Sequence, residues 1–108
     1  MNKYLYFIFL LLLNNKIFSQ RIELSTQIAQ KMQDSLYLSS EQRDSIYAIN
    51  NRLQSQKMQA RMQYAGADSI QYHLQRIENT RDSLYKPVLG AEKYLLYKQK
   101  KRNLISAN

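Results

Sequence analysis

After Gln20 the chain has only three strong helix breakers, Gly66, Pro87 and Gly90. The intervening stretches are rich in Gln, Lys, Arg, Leu, Ile and Met, which favours helix almost throughout. From Ile22 to Tyr37, the residues Leu24, Ile28, Met32 and Leu36 recur every four positions and draw a narrow apolar stripe. Leu38-Ser39-Ser40 interrupts it, because serine competes for backbone hydrogen bonds and prefers caps. A second helix then carries Ile46, Ile49 and Leu53 on one face, with Gln56, Ala60 and Gln63 continuing the seam. Tyr64 to Ala67 is expected to turn. A third helix follows with Ile70, Leu74, Ile77, Leu84 and Val88 in three- and four-residue steps, and Arg81 is its one charged member. Pro87 should end or kink it at Lys86. A fourth helix runs from Gly90 to Ile105, with Lys98, Lys100, Lys101 and Arg102 in its last turns, where the helix dipole favours positive charge. The expected fold class is all-α.

The start of the chain has a different character. Met1-Asn2-Lys3 is a short basic opening, and Tyr4 to Leu13 is an unbroken apolar run of ten. Asn14-Asn15-Lys16 ends the run, and Ser19 places a small residue before a cut. This is the layout of a secretory signal peptide, and the run is too short for a spanning helix of about 20 residues. An uncleaved anchor is the alternative. The division expected is a leader at 1–20 and one helical domain at 21–108, acting in the periplasm.

Taking the leader's 20 residues from 108 leaves 88, enough for one small domain. All three Phe fall in the leader, and the chain has no Trp or Cys. A small exported domain usually needs disulfides, metal or a partner subunit. Without cysteine, and with too few ligands for metal, self-association remains, so a homodimer is expected. Lys3 and Lys16 leave with the leader, and fourteen basic residues against eight acids give the domain a charge of +6. Export and the lack of interleaved aromatics argue against nucleic acid. Anionic membrane surfaces, contacted weakly, or acidic client segments fit better, although solubility is the plainer account of the charge.

One tetrapeptide pattern echoes at irregular spacing, in Asp34-Ser-Leu-Tyr37, Asp44-Ser-Ile-Tyr47 and Asp82-Ser-Leu-Tyr85. No function is read into it. Leu38-Ser39-Ser40-Glu41-Gln42 says more. Ser39 can cap the Gln42 N–H while the Gln42 side chain returns to the Ser39 N–H, a capping box with Leu38 as an anchor outside it. A degraded copy stands at Leu89-Gly90-Ala91-Glu92-Lys93, where Gly90 is a weaker cap and Leu89 can staple against Tyr94.

An exported, cysteine-free helical chain with two such boxes about fifty residues apart resembles the LTxxQ-motif family of Spy/CpxP-type periplasmic proteins. The likeness covers residues 24–105. The first box has Ser39 for Thr. The second keeps Leu89 and Glu92, with Gly90 for Thr and Lys93 for Gln. The resemblance implies a long helical hairpin with flanking helices, four in all, pairing into a thin antiparallel dimer. It also implies ATP-independent chaperone or envelope-stress roles, with no catalytic residues and no cofactor.

The residues give little to an enzyme. His73 is the sole histidine, and it shares one predicted helix with Asp68 and Ser69, whereas a triad draws its members from separate elements. One His without Cys also falls short of a metal site. The candidate client-binding residues are Lys57, Met58, Arg61 and Met62. Methionine is polarizable and adaptable, and beside two cations it would form an amphiphilic cradle. The plainer account is that both methionines fill an irregular helix contact. The expected function is therefore a non-catalytic binding protein acting on protein clients, or alternatively a structural or regulatory protein with one dedicated envelope partner.

Overall fold

The computed structural model describes residues 23–105, and those residues are helical with no strand among them. The expected leader at 1–20 and its cleavage lie outside the described residues. No helix of the described residues is long and apolar enough to cross a membrane.

Helix α1 covers 23–36. It buries Ile28, Met32 and Leu36 with Ser25 and Ala29 beside them. Its end is a left-handed turn: Tyr37 has φ +57°, and the Leu38 N–H donates to the Gln33 carbonyl at 3.2 Å. This closure usually recruits glycine, because a Cβ at positive φ is crowded. Here an exposed tyrosine takes that conformation.

Helix α2 spans Ser40–Gln63. Its buried residues are Ile46, Asn50, Leu53, Lys57 and Ala60, in alternating steps of four and three. The seam expected through Ile49, Gln56 and Gln63 is thus displaced by one position. Ile49 and Gln56 are half-buried and Gln63 is exposed. Asn50 Oδ1 and the Lys57 ammonium can face inward because partners on the following helices meet them.

Helix α3 spans Ile70–Glu78 and helix α4 spans Arg81–Ile105. The expected continuous helix from Ile70 to Val88 is therefore interrupted at Asn79-Thr80. Thr80 Oγ1 donates to the Ile77 carbonyl at 2.7 Å, and the Thr80 carbonyl accepts from Ser83 Oγ at 2.9 Å and the Leu84 N–H at 3.1 Å. Such side-chain bonds substitute for helical ones and reset the direction of the chain.

Pro87 does not end the helix at Lys86. The chain stays helical to Leu89 and breaks at Gly90, with φ +79° and ψ 167°, a conformation essentially reserved for glycine. The two halves of α4, 81–89 and 91–105, fold against each other about this point. Asp82 meets Lys98, sixteen positions on, at 2.7 Å, where a straight helix would separate them by about 24 Å. The Tyr85 and Tyr97 rings meet edge to face, with centroids 5.1 Å apart.

The main core joins α1, the start of α2 and both halves of α4, through Met32, Leu36, Ile46, Tyr85, Leu89 and Tyr97 among others. Leu53 and Ala60 are buried further along α2, outside that cluster. Tyr85 and Tyr97 supply the bulk that Phe would otherwise give. The body is elongated, 60 × 33 × 20 Å, with a radius of gyration of 16.7 Å, against about 13 Å for a compact chain of a hundred residues.

Candidate functional site

The two box sequences lie side by side. Ser39 Oγ accepts from the Gln42 N–H at 3.1 Å, and Gln42 Oε1 accepts from the Ser39 N–H at 3.0 Å. The rest of the Gln42 amide reaches the second junction, with Nε2 donating to the Val88 carbonyl at 3.1 Å. Lys93 returns the favour, its Nζ donating to the Tyr37 carbonyl at 2.8 Å and to Gln42 Oε1 at 3.1 Å. Carbonyls at a helix end lack helical partners. The third helical residue of each box therefore caps a carbonyl left open at the other junction. Leu38 and Leu89 are both buried in the main core beside this clasp. Ser39→Ala is expected to cost about 1 kcal/mol, typical of a lost N-cap. Urea denaturation followed by circular dichroism measures it, and an unchanged midpoint would show that the cap does not hold the start of α2.

A second polar cluster lies where α2, α3 and α4 meet. Arg81 is 0% exposed. Its guanidinium donates to both Glu78 carboxylate oxygens, to Asn50 Oδ1 at 2.9 Å and to the Tyr85 hydroxyl at 2.8 Å. Lys57 Nζ, also buried, donates to Glu78 Oε1 at 2.6 Å, and the Tyr85 hydroxyl donates to Asn50 Oδ1. Burial alone would push the Glu78 carboxyl upward. Hydrogen bonds from Arg81 and Lys57, with their charges, overcome that and hold it below its ordinary value. Desolvation raises the Tyr85 phenol to about 12, so it stays a donor.

Asp82 forms a separate node. It accepts from Lys98 at 2.7 Å, Lys101 at 2.9 Å and the Tyr97 hydroxyl at 2.9 Å, tying the two halves of α4 together. Burial opposes its ionisation, but those three bonds bring its carboxyl down to about 2. By spacing alone, Glu78 and Asp82 are an i,i+4 pair expected to make surface ion pairs with their neighbours Arg81 and Lys86. Instead the chain folds both acids inward, and Lys86 sits over the Tyr94 ring, 5.7 Å from its centroid. A sign of this was already visible: Arg81 occupies an apolar-stripe position, between Ile77 and Leu84.

The expected client-binding residues do not stay together. Lys57 is in the buried cluster, Met58 is half-buried, and Arg61 and Met62 are exposed. Large apolar side chains held in water are Tyr37 at 82%, Met62 at 77%, Tyr72 at 65% and Leu95 at 64% exposed. Tyr37 and Leu95 share a groove of about 420 Å³ that includes Leu36, Lys93 and Leu96. A polar groove of about 370 Å³ between α2 and α3 includes Gln59, Gln63, Tyr64, His73 and Arg76. There the His73 ring stacks on Tyr64 at 3.6 Å, nearly parallel. His73 meets Ser69 through a backbone bond, its N–H donating to the Ser69 carbonyl at 3.1 Å. Among the described residues no group of three or more His, Asp and Glu is placed to hold a metal ion.

The arrangement offers exposed apolar side chains and shallow grooves on a thin basic body, held by polar clusters at its helix junctions. No protein-family model, no curated protein and no solved structure matches the chain.

Proposed function

We propose that this is an exported, non-catalytic binding protein of the Spy/CpxP kind, an ATP-independent chaperone of the periplasm that works without a cofactor. On this reading residues 1–20 are removed on export, and residues 21–108 form a four-helix unit that pairs with a second copy as an antiparallel homodimer. The carrying observation is the distribution of exposed apolar side chains. Tyr37 and Leu95 stand at one groove and Met62 and Tyr72 elsewhere, on a body only 20 Å thick along its shortest axis. Dispersed apolar contacts on a thin, positively charged surface suit the holding of extended, partly unfolded chains. They suit the enclosure of one small ligand less well, since ligand sites are concave and bury most of their occupant.

Light scattering from an unfolding client, without ATP, tests the proposal. The protein is expected to slow aggregation at equimolar concentration. Replacing Met58 and Met62 together with Gln should weaken that protection while leaving helix propensity nearly unchanged. High salt should weaken it too where Arg61 steers acidic segments, since exposed charges are screened over about 10 Å at 0.1 M. No protection of unrelated clients would sink the chaperone reading in favour of one dedicated envelope partner. Unfolding of the double Met variant would make those residues packing elements.

A further inference from the structure

Helix α3 is fastened differently from its neighbours. It has no buried residue, and Ile70, Leu74 and Ile77 are only half-buried. Its N-cap, Ser69, makes no side-chain cap bond. A turn containing Gly66, at φ +75°, precedes it, and the Asn79-Thr80 turn follows. Few buried apolar contacts and flanking turns are the marks of a segment that opens locally, ahead of the whole molecule.

Its last residue ties α3 to both neighbouring helices at once. The Glu78 carboxylate is faced by Lys57 from α2 and by Arg81 and Tyr85 from α4. On α3 itself, His73 is stacked on Tyr64 and Arg76 is exposed at the polar groove. Two buried cations thus share one carboxylate. We propose that α3 is a hinged arm latched onto α2 and α4 by Glu78, and that protonating Glu78 releases it. Release uncovers Ala60 on α2 and the stripe of Ile70, Leu74 and Ile77 on α3.

Electrostatics fix the direction of the switch. With Glu78 neutral, Lys57 and Arg81 face each other without a counter-charge, and an unpaired buried charge is strongly destabilising. Swinging α3 outward admits water to both, and α3 itself has no buried side chain to lose. Arg81 keeps its bonds to Asn50 and Tyr85, so the main core stays closed. The folded protein holds Glu78 below its ordinary carboxyl value. The latch therefore contributes fully above the ordinary carboxyl range and is lost as pH falls through that lowered value. None of this depends on what the protein binds.

Native-state hydrogen exchange on the exported chain at neutral pH, with Glu78→Gln standing for the protonated latch, tests the idea. Amides of 70–78 should exchange roughly tenfold faster or more, as expected when a local opening becomes easier. Amides of 28–36 and 91–105 should keep their wild-type rates. Adding Lys57→Met to Glu78→Gln removes the surplus cation and should restore protection of α3. Acidifying the wild-type protein should loosen α3 before the core, which provides the readout even if the variant fails to fold. Unchanged α3 protection, no restoration by Lys57→Met, or loss of protection across the whole chain at once in acid would each overturn the latch.

Discussion

Replacing Arg81 with methionine is expected to lower stability by about 3 kcal/mol, the lower end of what breaking a buried ion pair costs. Methionine preserves much of the side-chain volume, so the loss is one of charge and hydrogen bonds rather than of packing. Without the guanidinium, Glu78 keeps only Lys57, while Asn50 and Tyr85 lose their shared donor. Glu78 retains 24% of its side-chain exposure and can recover some hydration, which is why the lower end applies. Urea denaturation of the purified protein checks the value. The effect should be global, with midpoints from circular dichroism and tyrosine fluorescence moving together, because Asn50 and Tyr85 belong to the main body. A cost below about 1 kcal/mol, the scale of an exposed pair, would mean that the cluster is hydrated and not sealed.

Gly90→Ala is the second large effect, expected at about 2 kcal/mol. A Cβ built at this position meets nothing within 4 Å, so crowding by neighbours contributes nothing. The cost is in the backbone. Gly90 holds φ +79° and ψ 167°, and residues with side chains forced into such regions lose about 1–3 kcal/mol. Read as a weak N-cap alone, the glycine would matter by a few tenths or more, up to about 1 kcal/mol. A thermal melt of the variant separates the two accounts. A shift no larger than that of an ordinary surface substitution would mean that α4 does not fold back at Gly90. The Asp82 bonds to Lys98 and Lys101 depend on that fold-back, so they should weaken in the same variant.

The sequence by itself determined the helical class and the position of one helix start. Scarce breakers and a four-residue apolar repeat in α1 are local signals, read within one or two turns. The same holds for the Ser39 to Gln42 box, whose partners are three residues apart. Helix ends were less legible. The break at Asn79-Thr80 arises from side-chain bonds weak enough to be outvoted in another setting, and Pro87 proved compatible with helix up to Gly90. The repeated Asp-Ser-x-Tyr pattern shows how little local sequence decides beyond this. Tyr37 is exposed in a left-handed turn, Tyr47 is half-buried, and Tyr85 is sealed in the core.

Only the tertiary structure decided which polar residues go inside. Lys57, Asn50 and Arg81 lie up to 31 positions apart in the chain, and none is an obvious core residue alone. Glu78 meets the charges of Lys57 and Arg81, and Asn50 Oδ1 accepts from Arg81 and Tyr85; burying those charges without partners would be prohibitive. Gln42 and Lys93, 51 positions apart, are linked in the same way across the two box junctions. A local pattern states what a side chain could do. Whether a buried charge is tolerable depends on partners that only the folded chain brings within reach.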